Sequence, residues 1–294
     1  MGIKAMGALQ HLEQQGYYSI DDIKTIYATS AGAIASLLLA LKFDWESIRQ
    51  YLVIRPWHDT YSVNVSQLFD AYSKKGIFDE SAITTFYKPF FLAKDLPLTM
   101  TMREFYEFSG IELHLFSLEL NSFEIVDISY KTYPDISVIQ SVHMSCAIPT
   151  IITPVCFDDK CFVDGGVVTN YPMKFCIEEQ RDLDEIFGIV NIYEQVEDNI
   201  VNHESTILDY IVHFISKLVK KANEKADYNG EKMPHELKYE ATTMTLDNMK
   251  QTLFSADFRA ALFEKGVDSA KNYMLSLSEA QNASLSDDSV DKLV

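Results

Sequence analysis

Two short segments of this sequence hold side chains of the types that acyl-transfer chemistry requires. In residues 28–32, Ala-Thr-Ser-Ala-Gly, Ser30 has a small residue two positions before it and two positions after it. In residues 164–166, Asp-Gly-Gly, the carboxyl group of Asp164 precedes two glycines. A serine hydroxyl becomes a nucleophile when a neighbouring base accepts its proton, and a carboxylate is one such base. Together the two segments indicate a serine-dependent reaction at a carbonyl carbon.

The residues around Ser30 predict a strand, a sharp turn and a helix. Residues 23–27 are mostly β-branched or aromatic, as in a buried strand, and residues 33–41 are mostly strong helix formers without Gly or Pro. Such a turn lifts the hydroxyl out of the sheet, and the helix directs its positive N-terminal end to the same place. Ala28 and Gly32 are expected to support the turn, because strand and helix nearly touch there. A serine that only caps a buried helix is the alternative.

Asp164 follows a short predicted strand, residues 161–163. Gly165 and Gly166 predict a tight turn whose backbone needs a positive φ or a close approach to a neighbouring segment. Taken alone, this segment favours an Asp-Gly turn that has no catalytic role.

The composition narrows the class of protein. The chain has 294 residues, of which 47% are hydrophobic, so it can bury a large core. A formal net charge of −18 argues against nucleic acid as a partner and against electrostatic docking on anionic membranes. The four cysteines show no C-x-x-C spacing, which predicts free thiols in a reducing compartment and no zinc site. We find no signal peptide and no apolar run of about 18 residues, so we expect a cytoplasmic protein.

The hydrophobic pattern predicts alternating helices and strands. A helix that ends at Gly16 precedes the strand–turn–helix around Ser30, and residues 60–110 are aromatic-rich and mostly helical. Another helix begins at Val138. Further strands are predicted over residues 112–120, 123–128 and 186–193. Strands separated by helices indicate a mainly parallel sheet covered on both faces, that is, a three-layer α/β/α fold.

Four segments occur in a defined order: residues 28–32, Ser-Cys-Ala-Ile-Pro at 145–149, Asp-Gly-Gly at 164–166 and Asn-Tyr-Pro at 170–172. This order resembles the patatin-like phospholipase family over residues 2–195. The resemblance implies the three-layer fold and a catalytic dyad without histidine, in which Ser30 is the nucleophile and Asp164 the general base. It implies hydrolysis of fatty-acyl esters of phospholipids or lysophospholipids, without metal or other cofactor. The implied partners are a lipid substrate and a transient contact with a membrane surface.

The opening residues resemble the end of the family's glycine-rich oxyanion loop, G-G-G-x-[KR]-G. The resemblance implies that backbone N–H groups of Gly2, Ile3, Lys4 and Ala31 hold the oxyanion of the transition state. It also implies a strand and further glycines ahead of Gly2, which the sequence as given does not contain. We therefore expect either that the start of the chain is misplaced or truncated, or that the oxyanion hole is incomplete. Ala28, where the family has Gly, is a mild departure.

The C-terminal third is predicted to be a helical extension. Residues 206–221 place apolar side chains along one helix face and lysines at its end, which fits either a helix packed on the sheet or one lying on a membrane. A polar linker over residues 222–236 and one or two helices over 249–273 follow. We therefore divide the chain into three parts: an acyl hydrolase domain over residues 1–200, a helical extension over 201–276 and a disordered, Ser- and Asp-rich tail over 277–294.

Three further alternatives remain open at this point. A conventional Ser-Asp-His triad would use one of the histidines that follow Asp164 in the sequence, His203, His213 or His235. The fold could instead serve as an interaction module that has lost catalytic activity. The aromatic segment, residues 78–108, either flanks the acyl site as a lid or lipid-facing wall or only packs in the core.

Overall fold

The computed structural model describes residues 2–61, 65–179, 182–192, 201–223, 233–242 and 245–290. The helices are α1 (Gly2–Gln14), α2 (Ala31–Ala40), α3 (Trp45–Ile54), α4 (Trp57–Thr60), α5 (Val65–Lys74), α6 (Glu80–Ala93), α7 (Met102–Ser109), α8 (Val138–Cys146), α9 (Met173–Glu178), α10 (Ile207–Asn223), α11 (Leu246–Phe254) and α12 (Ala256–Val290). The strands are β1 (Thr25–Thr29), β2 (Gly76–Phe78), β3 (Glu112–Glu119), β4 (Glu124–Ile128), β5 (Thr150–Ile152), β6 (Val155–Phe157), β7 (Lys160–Asp164), β8 (Phe187–Ile192) and β9 (His235–Glu240). Over the described ranges, no helix combines the length and the apolar character that a bilayer span requires.

The central sheet is mixed. β3 is its central strand: β1, β4 and β7 all pair with β3, and β6 pairs with β7. β1 and β3 are parallel, whereas the pairs β3–β4, β3–β7 and β6–β7 are antiparallel. The expectation of a mainly parallel arrangement is therefore wrong for this sheet. The antiparallel pairing has a physical reason. β4 and β6 are each joined to a sheet neighbour by a short turn, and a short turn permits only antiparallel pairing.

Both faces of the central sheet are covered, which confirms the three-layer α/β/α class. On one face Ala28, Leu113 and Leu115 belong to the main core, and α2 and α8 pack against these strands. On the other face Phe116 stacks on Phe175 of α9, with ring centroids 4.5 Å apart. Successive side chains of β3 point to opposite faces of the sheet, so they pack against two different helix layers.

In the described part of the chain, two further sheets have two strands each, β2–β5 and β8–β9, and the latter joins distant parts of the chain. β8 and β9 are parallel, with Phe187 opposite His235. Leu237 and Tyr239 of β9 pack with residues of α1 and α12 in a separate small core. The predicted helical extension therefore contains a strand, which begins within the predicted linker and pairs across the predicted boundary at residue 200. The strand pattern of β9 is weak in the sequence, because only Leu237 and Tyr239 of its six residues are apolar or aromatic enough to mark a buried face.

The C-terminal helix is longer than the sequence predicts. Residues 249–273, predicted as one or two helices, fall in α11 and α12, and α12 continues to Val290. Residues 277–290 are thus helical where a disordered tail was expected, while residues 291–294 lie outside the described residues. The segment 277–290 contains no Gly or Pro, so a helix already formed can extend through it at little cost.

α1 and α12 cross at two glycines. A Cβ atom added to Gly7 would lie 2.1 Å from the carbonyl oxygen of Phe263. A Cβ atom added to Gly266 would lie 1.9 Å from the carbonyl oxygen of Lys4. Each helix therefore contributes one glycine that lets the other backbone approach closely. This crossing fixes the start of α1 against the body of the protein.

The first residues of the chain form a helix and not a loop. α1 begins at Gly2, so the expectation that residues 2–4 are the end of an oxyanion loop is wrong for their local structure. Ile3 and Met6 are one helical turn apart, and both are buried in the main core. Burial of this helix face favours helix from the first described residue onward.

The cysteines differ from the expectation of four free thiols. Cys156 and Cys161 lie directly opposite each other in the β6–β7 hairpin and form a disulfide bond. Opposed positions in a hairpin bring two Cβ atoms within disulfide range. Cys146 and Cys176 are buried, and neither belongs to this disulfide bond.

Candidate active site

Ser30 lies at the turn between β1 and α2. Its backbone has φ 55° and ψ −124°, a conformation that residues other than glycine rarely adopt and that costs about 1–3 kcal/mol. Ser30 occupies the N-cap position of α2, yet its side chain makes no capping hydrogen bond. The Ser30 hydroxyl therefore does not cap the helix, so the alternative that Ser30 is only a helix cap does not apply.

Two side chains of α8 hold the strained backbone of Ser30. Its N–H donates to Ser145 Oγ at 3.0 Å, and Ser145 in turn donates to the carbonyl oxygen of Phe116 at 2.7 Å. The thiol of Cys146 donates to the carbonyl oxygen of Ser30, with an S–O distance of 2.9 Å. The roles of Ser145 and Cys146 were not predicted, and the signal that could have indicated them is their place in the Ser-Cys-Ala-Ile-Pro segment. A strained residue persists only where its surroundings fix it.

The pairing of β3 brings β1 and β7 end to end. β4 occupies one edge of β3 over residues 115–119. β1 and β7 both pair with the other edge, β1 as far as Phe116 and β7 from Ser117 onward. Their C-terminal residues, Thr29 and Asp164, are therefore next to each other along β3. The residue that follows Thr29 can thus reach the carboxyl group with its side chain.

The Ser30 hydroxyl donates a hydrogen bond to Asp164 Oδ2 at an O–O distance of 2.5 Å. Asp164 Oδ1 accepts a hydrogen bond from the N–H of Gly166 at 2.7 Å, so each carboxyl oxygen has a donor. Asp164 is 4% exposed. Burial raises its pKa to about 6, although the hydrogen bonds from Ser30 and Gly166 act in the opposite direction. At neutral pH this group is ionised and is a much stronger base than an ordinary aspartate.

The two glycines after Asp164 allow close approach, and neither has a positive φ. A Cβ atom on Gly165 would lie 2.5 Å from the carbonyl oxygen of Phe116 and 3.1 Å from Thr29 Cγ2. A Cβ atom on Gly166 would lie 3.0 Å from Asp164 Oδ1. The turn therefore lies directly against the end of β1 and β3, which keeps the carboxyl group beside the serine.

The N-terminal ends of α1 and α2 adjoin beside this pair. A Cβ atom on Gly2 would lie 3.1 Å from the carbonyl oxygen of Ala31. The first N–H groups of a helix have no partner within the helix, and its dipole is positive at this end. Ile3 lines a cavity next to Ala31, whereas Lys4 Nζ donates to the carbonyl oxygen of Glu240 at 2.6 Å. Of the residues predicted for the oxyanion hole, Gly2 and Ala31 are thus direct neighbours, and the Lys4 side chain extends towards β9.

The histidines of the alternative triad have other surroundings. The His203 side chain is 91% exposed, the His235 ring is hydrogen-bonded to a tyrosine hydroxyl, and His213 lies within α10. The Ser30 hydroxyl donates to Asp164 and not to a histidine ring. Within the described part of the chain, no group of three His, Cys, Asp or Glu side chains is arranged to hold a metal ion.

The aromatic segment over residues 78–108 is mostly core. Tyr87, Phe91 and Phe105 are fully buried, so the packing interpretation describes these residues. Phe86 instead lines the cavity that begins next to the site.

Comparisons with known proteins identify the family and the fold of this chain. The sequence profile of the patatin-like phospholipase family matches residues 2–177. The protein named "Probable lipid hydrolase 463L" of Invertebrate iridescent virus 6 is 23% identical over 206 residues, which cover 68% of this chain and 69% of the viral protein. An uncharacterized protein of Acanthamoeba polyphaga mimivirus is 22% identical over 280 residues, which cover 94% of this chain and 91% of that protein.

The crystal structure of VipD from Legionella pneumophila has the same fold. It aligns with a TM-score of 0.54 at 15% identity and covers 94% of this chain, which spans 65% of VipD. Because the family profile matches more than half of the residues, this chain belongs to the patatin-like phospholipase family. Lipid hydrolysis is the activity class that this membership and the viral relative support.

The close approach of Gly165 leads to a testable difference between two Gly→Ala substitutions. Gly165→Ala should lower the free energy of unfolding by about 2 kcal/mol, because the new methyl group must displace the backbone of Phe116. Gly32→Ala should be neutral or stabilising by up to about 1 kcal/mol, because alanine favours helix and its Cβ would meet Ala28 Cβ at an ordinary 3.6 Å. Urea unfolding of both variants is the measurement. Equal effects of the two substitutions would contradict the close contact at Gly165.

Proposed function

We propose that this protein is a serine lipid acyl hydrolase that cleaves fatty-acyl esters of phospholipids or lysophospholipids. The observation that carries the proposal is the hydrogen bond of 2.5 Å from the Ser30 hydroxyl to the buried carboxyl group of Asp164. A nucleophile joined directly to a base of raised pKa is the arrangement that acyl transfer needs. The mechanism is of the phospholipase A or lysophospholipase type.

In the first half of the reaction Ser30 Oγ attacks the ester carbonyl carbon while Asp164 accepts the hydroxyl proton. The tetrahedral intermediate then collapses, the bond to the alcohol oxygen breaks, and Asp164 gives the proton to that oxygen. The lipid alcohol leaves, and the acyl group remains on Ser30. In the second half Asp164 takes a proton from water, the resulting hydroxide equivalent attacks the acyl-enzyme, and Ser30 regains its proton as the fatty acid leaves.

The oxyanion of both intermediates is held by backbone N–H groups at the adjoining starts of α1 and α2. Ala31 contributes from α2, and Gly2, Ile3 and Lys4 form the first turn of α1. Two helix N-termini at one place supply both unpaired donors and a positive potential. Gly165 and Gly166 support the site because a Cβ atom at either position would press on its neighbours. Ala28 and Gly32 support the turn less strictly, since a Cβ atom on Gly32 would meet Ala28 Cβ at an ordinary 3.6 Å.

The dyad is tested by substitution of each member. Ser30→Ala and Asp164→Asn should each lower kcat/KM on lysophospholipid by at least about 10³-fold, because each removes a group that acts in the bond-making step. Circular dichroism should show that both variants stay folded. The control Asp158→Asn alters an exposed carboxyl group of the β6–β7 turn and should retain full activity.

Combined substitution of His203, His213 and His235 by glutamine separates the dyad from a conventional triad. The dyad predicts that most of the rate remains. A large loss in this triple variant, together with activity in Asp164→Asn, would support the triad. An inactive wild-type chain that binds lipid would support an interaction module with the same fold.

The pH dependence follows from the raised pKa of Asp164. Since the ionised carboxylate is the base, kcat/KM should rise about tenfold per pH unit below pH 6 and level off above about pH 7. The midpoint should lie near the pKa of about 6 that burial gives this group. The measurement is ester hydrolysis from pH 4.5 to 8.5 with a substrate that does not itself titrate. A rate that is already constant from pH 4.5 upward would contradict the assignment of the base.

We also propose a transient contact with the lipid surface through α10. Val212 and Ile215 of this helix are buried against the protein. The opposite side carries an exposed apolar row, here named the α10 stripe, which consists of Ile207, Tyr210, Phe214 and Leu218. α10 packs against the 3₁₀ turn Gly165–Val167 directly after Asp164, so the helix that carries the stripe lies close to the site. With a net charge of −18, apolar insertion rather than charge attraction would drive this contact.

Vesicle sedimentation tests the α10 stripe. The double substitution Tyr210→Ser and Phe214→Ser should abolish sedimentation with phosphatidylcholine vesicles, whereas Phe123→Ser, which alters an equally exposed aromatic residue in the β3–β4 turn, should not. Anionic vesicles should bind the protein less well, and higher salt should weaken this repulsion because the Debye length falls to about 10 Å at 0.1 M. Tight, salt-sensitive binding to anionic vesicles would count against the proposal.

A further inference from the structure

An apolar cavity of ≈ 200 Å³ begins at Ala31, the residue that follows Ser30. Gly2 and Ala31, the neighbours at the two helix N-termini, line one end of it. Along α2 its wall consists of Ala31, Ile34, Ala35 and Leu38, which repeat at helical spacing on one face. Seven residues of helix correspond to about 10 Å, so the cavity extends roughly that far from the nucleophile.

The opposite wall comes from segments that are distant in sequence. Leu52, Trp57 and Phe86 contribute from α3, α4 and α6. Thr252, Leu253 and Arg259 contribute from the C-terminal part of the chain. These last three residues lie beyond residues 2–177, the range that the family profile matches. This part of the wall therefore comes from a segment outside the range that the family profile matches.

Arg259 holds that C-terminal segment in place. It is 2% exposed. Its guanidinium donates to the carbonyl oxygens of Val53 and Arg55 at the end of α3 and to those of Thr252 and Leu253 at the end of α11. A cation at two helix C-termini satisfies carbonyl groups that have no partner within their helices. Arg259 thus fixes α11 against α3, and with it the far wall of the cavity.

We propose that this cavity is the acyl subsite of the enzyme and that its size selects medium-length acyl chains of about eight carbons. The proposal rests on the proposed function at Ser30. A closed apolar cavity of about 150 Å³ holds one six-carbon benzene ring, so ≈ 200 Å³ corresponds to about eight carbons. Leu38 and Leu253 are the residues that determine specificity, Leu38 because it lies furthest along α2 from Ser30 and Leu253 because it belongs to the opposite wall.

The dependence of rate on acyl length follows from burial of methylene groups. Each methylene that enters the cavity should raise kcat/KM by up to about fourfold, the equilibrium factor for burying one CH₂. Once the cavity is full, further methylenes remain in solvent or at the lipid surface and add nothing. We therefore expect a steep rise to about eight carbons and then a break in the slope.

The first arm of the test measures kcat/KM on p-nitrophenyl esters with acyl chains of 4 to 14 carbons. Leu38→Ala and Leu253→Ala should each move the break to longer chains by about three carbons, the number that the substitution removes. Ala35→Leu should move it to shorter chains, which keeps the test decisive if a truncated variant fails to fold. Leu37→Ala is the matched control, since Leu37 is an equally buried neighbour in α2 that does not line the cavity.

The second arm does not depend on catalysis. It measures the rise in melting temperature of the Ser30→Ala variant with n-alkanols of 4 to 12 carbons at equal concentration. The melting temperature should increase with each added carbon up to about eight carbons and then level off. In the presence of Leu38→Ala this break should move to longer alkanols, as it does for the esters. A break in this arm without any ester hydrolysis would overturn the proposed function and leave the cavity assignment standing.

Two outcomes would overturn the cavity assignment. One is ester hydrolysis whose rate rises without a break to 14 carbons. The other is a break that moves equally in Leu37→Ala and Leu38→Ala, since that would reflect general loosening of α2. Either result leaves the assignment of Ser30 and Asp164 untouched, so the two proposals are tested separately.

Discussion

The hydrogen bond between Ser30 and Asp164 is the interaction on which the rest of the site depends. It requires a serine in a rare backbone conformation, fixed from both sides by Ser145 and Cys146 of α8. It also requires a buried carboxyl group whose pKa is raised to about 6. Because the folded protein must ionise this group at neutral pH, its burial destabilises the fold by on the order of 3 kcal/mol. A carboxyl group kept at such a cost, beside a strained serine, is typical of a functional site.

The residues that surround this pair come from both ends of the chain. The start of α1 lies against α2, and α12 holds α1 in that position through the close crossing at Gly7 and Gly266. α11 and Arg259 form part of the cavity wall, although both lie outside the range that the family profile matches. Burial of α1 between the main core and the small β8–β9 core ties these elements together. The C-terminal third therefore contributes to the geometry of the site and is not an independent appendage.

Much of this arrangement could be predicted from the sequence, because the signals are local. The strand, turn and helix around Ser30, the β3–β4 hairpin and the Asp164 turn each follow from residue types within a few positions. The features that were missed depend on contacts between distant residues. β9 becomes a strand by pairing with β8, and Gly2 is helical because α12 and the main core bury α1. The C-terminal ends of β1 and β7 meet along β3, which brings Ser30 next to Asp164, and this follows from strand register and not from any motif.

The central claim is that Ser30 is a nucleophile activated by Asp164, and covalent labelling tests it most directly. The protein is incubated at pH 7.5 with an alkyl fluorophosphonate, which reacts with activated serines, and the modified peptide is located by mass spectrometry. The account predicts one label on Ser30, and labelling that is at least about 10²-fold slower in Asp164→Asn because the base is gone. A label on another residue, or equal labelling rates in wild type and Asp164→Asn, would contradict the account.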